Sequence, residues 1–110
     1  MGHDISGYNR AGEEIAYARF SMGNYNAAIL YHLLDANEYY AGFSGSGGST
    51  ALSTRQIEKA LNEYKQLFKN DVSSIAESDF SNWDQRQILD FIQNCLATAQ
   101  KEGSVKVFFG

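Results

Sequence analysis

The chain has no proline, a single cysteine and no long apolar run. Without proline, its turns must depend on Gly, Asn, Ser and Asp. Cys95 has no partner for an internal disulfide, which suits a reducing compartment. The longest apolar run, residues 27–34, contains His32 and falls far short of the ~20 residues that a membrane span needs. Because residues 1–4 also lack the features of a signal peptide, we expect a cytoplasmic protein without a membrane segment.

Positive charge is also scarce. Nine Lys and Arg residues stand singly along the sequence against 13 Asp and Glu, which gives a net charge of -4. A nucleic-acid groove needs a basic face, so we expect no nucleic-acid partner. With 110 residues and 44% hydrophobic residues, the chain is long and apolar enough for one globular domain, which we expect to cover residues 1–110.

Alternating patterns predict three strands, at about residues 2–7, 14–20 and 104–109. In the second segment, Ile15, Tyr17 and Arg19 should share one face. In the third, Lys106 and Phe108 should share the face opposite the two valines. We expect these strands to pair in a three-stranded, mostly antiparallel sheet.

Three helices are predicted, at about residues 25–39, 53–69 and 84–101. The second is the most clearly amphipathic, with Leu61 in the middle of its apolar stripe. It also begins with a capping box, in which Ser53 caps the helix and Gln56 reaches back to the main chain. The predicted fold class is therefore α+β, with helices packed on a small sheet.

A glycine- and serine-rich tract follows the aromatic residues Tyr39 and Tyr40 and precedes the second helix. Two interpretations are open. Successive N–H groups of the tract, together with the N-terminus of the helix, form a nest for an anion. Alternatively, the tract is a flexible connector.

Aromatic and cationic residues near this tract are candidates for ligand binding. Tyrosines stack on a flat ligand or pack against a partner, or form a half-buried rim of the core. Arg10 and Arg19 clamp a phosphate or carboxylate, or pair with Glu13 and Glu14. The predicted ligand-binding residues are Tyr8, Arg10, Arg19, Asn24, Tyr39, Tyr40, Phe43, Ser44, Gly45, Ser46 and Gly47.

No set of nucleophile, base and orienting residue is complete in the sequence. His3 and Asp4 are adjacent strand residues, so they should point to opposite faces. Cys95 lies in an apolar helical stripe and should be an inert buried thiol. Two histidines and one cysteine are too few for a zinc site. We therefore expect no enzyme, no metal and no cofactor.

The layout resembles a group of short bacterial and phage proteins of unknown function. The matching segments are Met1–Gly7, Tyr17–Phe20, Tyr40–Gly48 and Phe91–Val107. They correspond to a Met-Gly-x-Asp-x-x-Gly start, an aromatic segment with an arginine, a glycine-rich loop before a helix, and a closing helix, glycine and strand. The group has no established activity, so the resemblance implies a layout and an origin.

Two functions are expected from these observations. The first is a non-enzymatic binding module that holds a small polar, nucleotide-like ligand between the aromatic residues and the glycine-serine tract. In a phage protein, such a module could sequester a host defence signal. The alternative is a protein-interaction module or inhibitor that uses a tyrosine-rich surface, including as a homo-oligomer.

Overall fold

A sheet and three α-helices make up the residues that the computed structural model describes, which are 2–21, 25–41, 45–68 and 79–110. The strands are β1 (Gly2–Tyr8), β2 (Glu14–Ser21), β3 (Ser49–Ser53) and β4 (Ser104–Phe109). The helices are α1 (Tyr25–Leu33), α2 (Thr54–Phe68) and α3 (Asp79–Glu102), and one 3-10 turn spans Asn37–Tyr39. The predicted α+β class is confirmed.

The sheet has four strands in the order β2-β1-β4-β3, so the prediction of three strands is wrong. All neighbouring strands are antiparallel, and β4 lies inside the sheet with β1 on one side and β3 on the other. The missed strand, β3, reads Ser-Thr-Ala-Leu-Ser. Only Leu52 in it is large and apolar, so the alternation that reveals a strand in sequence is missing. Its pairing with β4 makes this segment a strand.

One face of the sheet is covered by the helices, and we call the other face the open face. Alternate residues of every strand are buried on the covered face, among them Ile5, Ala18, Leu52 and Phe109. The pairing register and the alternation of the strands then assign the opposite residues to the open face. These are Asp4, Ser6, Tyr8, Tyr17, Arg19, Ser49, Lys106 and Phe108.

The predicted faces of the strands are correct with one exception. Tyr17 and Arg19 in β2 are exposed, as are Lys106 and Phe108 in β4. Ile15, however, is partly buried and packs against the core. A register shift at the end of β1, between Gly7 and Tyr8, interrupts the alternation next to Ile15.

Helix α1 ends at Leu33, six residues before the predicted end. Asp35 takes a φ of 56°, which a helix cannot continue. The N–H of Ala36 donates to the Tyr31 carbonyl at 2.8 Å, and the N–H of Asp35 donates to the His32 carbonyl at 3.0 Å. This pair of bonds is the Schellman motif that closes a helix. Sequence reasoning missed it because aspartate, not glycine, holds the left-handed position.

The other helices agree with prediction in their cores and differ at their ends. The capping box of α2 is confirmed, since Ser53 N–H donates to Gln56 Oε1 at 2.9 Å and Gln56 N–H donates to Ser53 Oγ at 3.2 Å. Leu61 is only partly buried, whereas Ile57 is fully buried. Helix α3 begins at Asp79 instead of residue 84. The predicted end of α2 at residue 69 lies outside the described residues.

No helix within the described ranges is both long enough and apolar enough to cross a membrane.

Candidate functional site

The residues predicted to form one site lie in separate parts of the fold. Three belong to the open face or to the β1–β2 turn, namely Tyr8, Arg10 and Arg19. Five lie in the segment that leads into β3, namely Tyr39, Tyr40, Gly45, Ser46 and Gly47. The remaining three, Asn24, Phe43 and Ser44, lie outside the described residues.

The main-chain donors of the glycine loop are used within the fold. The N–H groups of Gly45, Ser46 and Gly47 donate to the carbonyl groups of Gly110, Tyr39 and Phe109 at 2.8, 2.9 and 2.7 Å. An anion nest needs N–H groups that point at the ligand. These three donors therefore cannot form the nest considered from the sequence.

Two glycines of this loop have structural reasons to be glycine. Gly47 has a φ of 85°, and Gly47 and Gly48 together oppose Phe109, whose N–H donates to the Gly48 carbonyl at 2.9 Å. This is a G1 β-bulge, which requires glycine at its first position. A Cβ on Gly45 would lie 2.5 Å from the Phe109 carbonyl carbon and 2.8 Å from Tyr31 Oη. The loop is fitted closely against the end of β4.

The aromatic residues before this loop pack against the rest of the protein. Tyr39 stacks on Phe109 with ring centroids 4.8 Å apart, and Tyr40 stacks on His3 at 5.2 Å. Both His3 and Tyr31 are buried, and a hydrogen bond of 3.1 Å joins His3 Nδ1 to Tyr31 Oη. Burial raises the pKa of Tyr31 to about 12. Tyr39 and Tyr40 therefore form a half-buried rim of the core, which is one of the interpretations that the sequence left open.

A cleft of about 460 Å³ lies on the open face, beside the β1–β2 turn. Small-molecule sites typically have volumes of about 300–1,000 Å³, so the cleft is large enough for a small ligand. It contains two of the predicted site residues, Tyr8 and Arg10. We call it the sheet-face cleft, and its lining residues are Tyr8, Asn9, Arg10, Gly12, Ser49, Lys106 and Phe108.

The pairing of the strands brings these residues together from distant parts of the sequence. Tyr8 of β1 pairs with Lys106 of β4, and Ser49 of β3 pairs with Phe108 of β4. Residues two apart on a strand share a face, so Lys106 and Phe108 stand side by side on the open face. Three strands thus contribute to the floor of the cleft.

The β1–β2 turn supplies the wall of the cleft and holds Arg10 at its tip. The N–H of Gly12 donates to the Asn9 carbonyl, and the N–H of Asn9 donates to the Glu13 carbonyl, both at 3.0 Å. This is the bonding pattern of a three-residue hairpin loop with a G1 bulge. Two further bonds reinforce the turn: the Glu13 N–H donates to Asn9 Oδ1 at 2.9 Å, and Asn9 Nδ2 donates to Glu13 Oε1 at 3.1 Å.

Arg10 is anchored to the end of α3. Its Nη2 donates to the Glu102 carbonyl at 2.7 Å, and its main-chain N–H donates to Glu102 Oε1 at 2.7 Å. The guanidinium carries five N–H donors, so other donors remain for a ligand. Its contact with Glu102 is to the main chain, and among the described residues it forms no salt bridge.

The two cations of the open face, Arg19 and Lys106, differ in their ion pairing. Arg19 lies 3.7 Å from Asp4, which also accepts a hydrogen bond of 2.6 Å from Tyr17 Oη. That hydrogen bond is the main reason that the pKa of Tyr17 is raised. Lys106, in contrast, forms no salt bridge within the described part of the chain. The predicted site residue Arg19 therefore pairs with Asp4 and does not line the cleft.

The positions of His3, Asp4 and Cys95 in the fold bear on the chemistry that each could support. His3 is buried on the covered face while Asp4 lies on the open face, as predicted for adjacent strand residues. Burial raises the pKa of Cys95 to about 12, so its thiol is a poor nucleophile near neutral pH. Among the described residues, no group of three or more His, Cys, Asp or Glu side chains could hold a metal ion.

Sequence reasoning missed five of the seven residues that line the cleft. It assigned Lys106 and Phe108 to a common face opposite the two valines but did not connect that face with Tyr8. The register between β1 and β4 makes that connection, and no local pattern in the sequence specifies it. Ser49 was missed because β3 was missed.

Comparisons with known proteins give no match to a family model, to a curated protein or to a solved structure. The resemblance to short bacterial and phage proteins stays a prediction.

Proposed function

We propose that the protein is a small binding module whose sheet-face cleft holds a small, polar, negatively charged ligand. One observation carries this proposal: Arg10 and Lys106 both line the cleft, and no carboxylate does. The whole chain carries more acidic than basic residues, with a net charge of -4. The carboxylates of Glu13 and Glu102 bond to Asn9 and Arg10 beside the cleft. The charged side chains that line the cleft are both positive, and an anion would be attracted to them.

The two cations differ in what they offer an anion. Lys106 stands on the rigid interior strand β4, and its ammonium group is a compact point charge with three donors. Arg10 lies on the β1–β2 turn and offers a planar fork that suits phosphate or carboxylate. Hydrogen bonds from charged donors to an anion are about twice as strong as neutral ones. Together, Lys106 and Arg10 favour a ligand with a phosphate or carboxylate group.

The proposal keeps the class of function expected from the sequence and moves the site from the glycine loop to the open face. We further propose that the module works in the cytoplasm and binds its ligand without transforming it. If the protein is of phage origin, sequestration of a small anionic signal of the host would be a use for such binding.

Isothermal titration calorimetry with adenosine monophosphate and pyrophosphate tests the proposal. We expect at least one of these anions to bind the native protein, and we expect Lys106→Ala to weaken that binding at least tenfold. Lys65→Ala is the matched control, because Lys65 is an exposed lysine on α2, away from the cleft. The proposal is wrong if neither anion binds, or if Lys106→Ala and Lys65→Ala have the same effect.

A second candidate function is a protein-interaction surface on the open face. Tyr17 and Phe108 both pair with Ser6 in the sheet register, and they are 49% and 37% exposed. Aromatic side chains that stand together on a surface are typical anchors of protein interfaces. Under this alternative, Tyr17→Ala would abolish binding of a protein partner or self-association, as measured by light scattering, and Lys106→Ala would not change the affinity for anions.

A further inference from the structure

The sheet-face cleft contains aromatic rings as well as cations. Tyr8 and Phe108 both line it, on neighbouring strands β1 and β4. Neither ring makes a ring–ring contact within the described part of the chain. Tyr39 and Tyr40, in contrast, stack on other rings. The Phe108 ring lies next to Gly110, where an added Cβ would be 3.0 Å from Phe108 Cε1.

The register fixes the spacing between these two residues. Tyr8 pairs with Lys106, so Phe108 is its diagonal neighbour on the same face. Diagonal neighbours across an antiparallel pair lie about 7–8 Å apart. This is the spacing of the residue positions, and diagonal neighbours with side chains of aromatic size are within reach of each other. The side chains of Tyr8 and Phe108 can therefore both contact one planar group bound in the cleft.

We infer that the ligand of the cleft carries an aromatic ring that stacks against Tyr8 and Phe108, joined to an anionic group that Lys106 and Arg10 bind. This inference rests on the proposed function and specifies its ligand class. Lys106 is the direct neighbour of both aromatic positions, since it pairs with Tyr8 and is two residues from Phe108. A negative group bound there must be only a short distance from the ring, as in a nucleoside monophosphate.

The same geometry predicts which features of the ligand matter. Every nucleobase has a flat π-face, so stacking favours a ring without selecting one base. The side chain of Asn9 uses one amide N–H and its Oδ1 to hold Glu13, which leaves its second amide N–H for a ligand. The remaining side-chain polar groups of the cleft besides its cations are the hydroxyls of Tyr8 and Ser49, and each can both donate and accept. We expect a large difference in affinity between ligands with and without an aromatic ring, and a much smaller difference between one nucleobase and another.

A comparison of adenosine monophosphate with ribose 5-phosphate tests this inference by calorimetry, because ribose 5-phosphate keeps the sugar and the phosphate but has a hydroxyl group in place of the base. We expect adenosine monophosphate to bind at least tenfold more tightly to the native protein. Phe108→Leu removes the ring but keeps an apolar side chain, and should reduce that ratio to about threefold or less. Tyr25→Leu is the matched control, since Tyr25 is 78% exposed on α1 and should leave the ratio unchanged.

The outcomes separate this inference from the proposed function. If both phosphates bind equally well and Lys106→Ala weakens both, the anion site stands and the stacked ring is wrong. If Phe108→Leu leaves the ratio at its native value, the stacked ring is also wrong. If neither phosphate binds, the stacked ring is wrong, and the proposed function fails with it only if pyrophosphate does not bind either. Should Phe108→Leu fail to give a cooperative thermal transition, Tyr8→Leu takes its place with the same expected ratio.

Discussion

The side-chain amide of Gln87 forms two hydrogen bonds with the main chain of Arg19 at the outer edge of β2. Arg19 N–H donates to Gln87 Oε1 at 3.1 Å, and Gln87 Nε2 donates to the Arg19 carbonyl at 3.1 Å. Gln87 Nε2 also lies 3.4 Å from Asp84 Oδ1, one turn earlier on α3. The amide thus occupies a donor and an acceptor that a fifth strand would otherwise use. Covered edges of this kind limit the pairing of sheets between molecules.

Gln87→Ala should therefore promote self-association. The change uncovers the main chain of Arg19 on an edge strand that also carries the exposed Tyr17. We expect the average mass measured by light scattering to rise with protein concentration more steeply than for the native chain. Gln93→Ala is the control, because Gln93 is exposed on the same helix. Equal masses for the three proteins at every concentration would show that Gln87 does not protect the edge.

Gly45→Ala should destabilise the fold without removing a binding group. Its Cβ would meet the main chain of Phe109 at 2.5 Å, and main chain cannot move aside as the end of a flexible side chain can. Overpacking of this kind costs about 1–3 kcal/mol. Urea unfolding should show such a loss, while Ser46→Ala, at an exposed neighbour, should change stability by less than about 0.5 kcal/mol. A Gly45→Ala protein as stable as the native chain would contradict the close fit of this loop.

Stability should fall at alkaline pH because of two buried groups. Burial raises the pKa of Tyr31 from 10.0 to about 12, and the pKa of Cys95 from 9.0 to about 12. At pH values between the ordinary and the raised pKa of each group, the folded protein keeps the proton and the unfolded chain releases it. The stabilisation is therefore complete below about pH 9 and is lost as the pH rises towards 12. For Tyr31 alone, a shift of two pKa units corresponds to about 3 kcal/mol.

The contribution of Tyr31 can be separated by substitution. Urea midpoints measured from pH 8 to pH 12 should decline less steeply in Tyr31→Phe than in the native protein, since phenylalanine has no proton to lose. Part of the decline should persist because Cys95 still titrates. Parallel profiles for the two proteins would mean that the hydroxyl of Tyr31 is not buried in the folded state.

Local patterns predicted much of this fold, and the errors have physical causes. The capping box at Ser53 and the strand Ser104–Phe109 were predicted correctly because each depends on neighbouring residues. The early end of α1 was missed because Asp35 adopts a conformation that glycine usually takes. The strand β3 was missed because its pairing with β4 determines its structure more than its own composition does.

The candidate site was harder to predict than the fold. Tyr8 and Arg10 were predicted from the sequence as ligand-binding residues of a site at the glycine-serine loop. Their placement beside Lys106 and Phe108 depends on the pairing of the first and last strands. Sequence proximity instead suggested the glycine loop, whose donors and aromatic neighbours are used in packing. Proximity along the chain was therefore a poor guide to proximity in the fold.

The location of the bound ligand is the central claim. Amide nitrogen–proton correlation spectra recorded during a titration with adenosine monophosphate test it most directly, because they report every main-chain amide at once. We predict that the largest shifts arise from the sheet-face cleft, at Tyr8, Arg10, Ser49 and Lys106, and that Gly45 and Gly47 change little. Largest shifts at residues 39–47 with none in the cleft, or no shifts at all, would contradict the account.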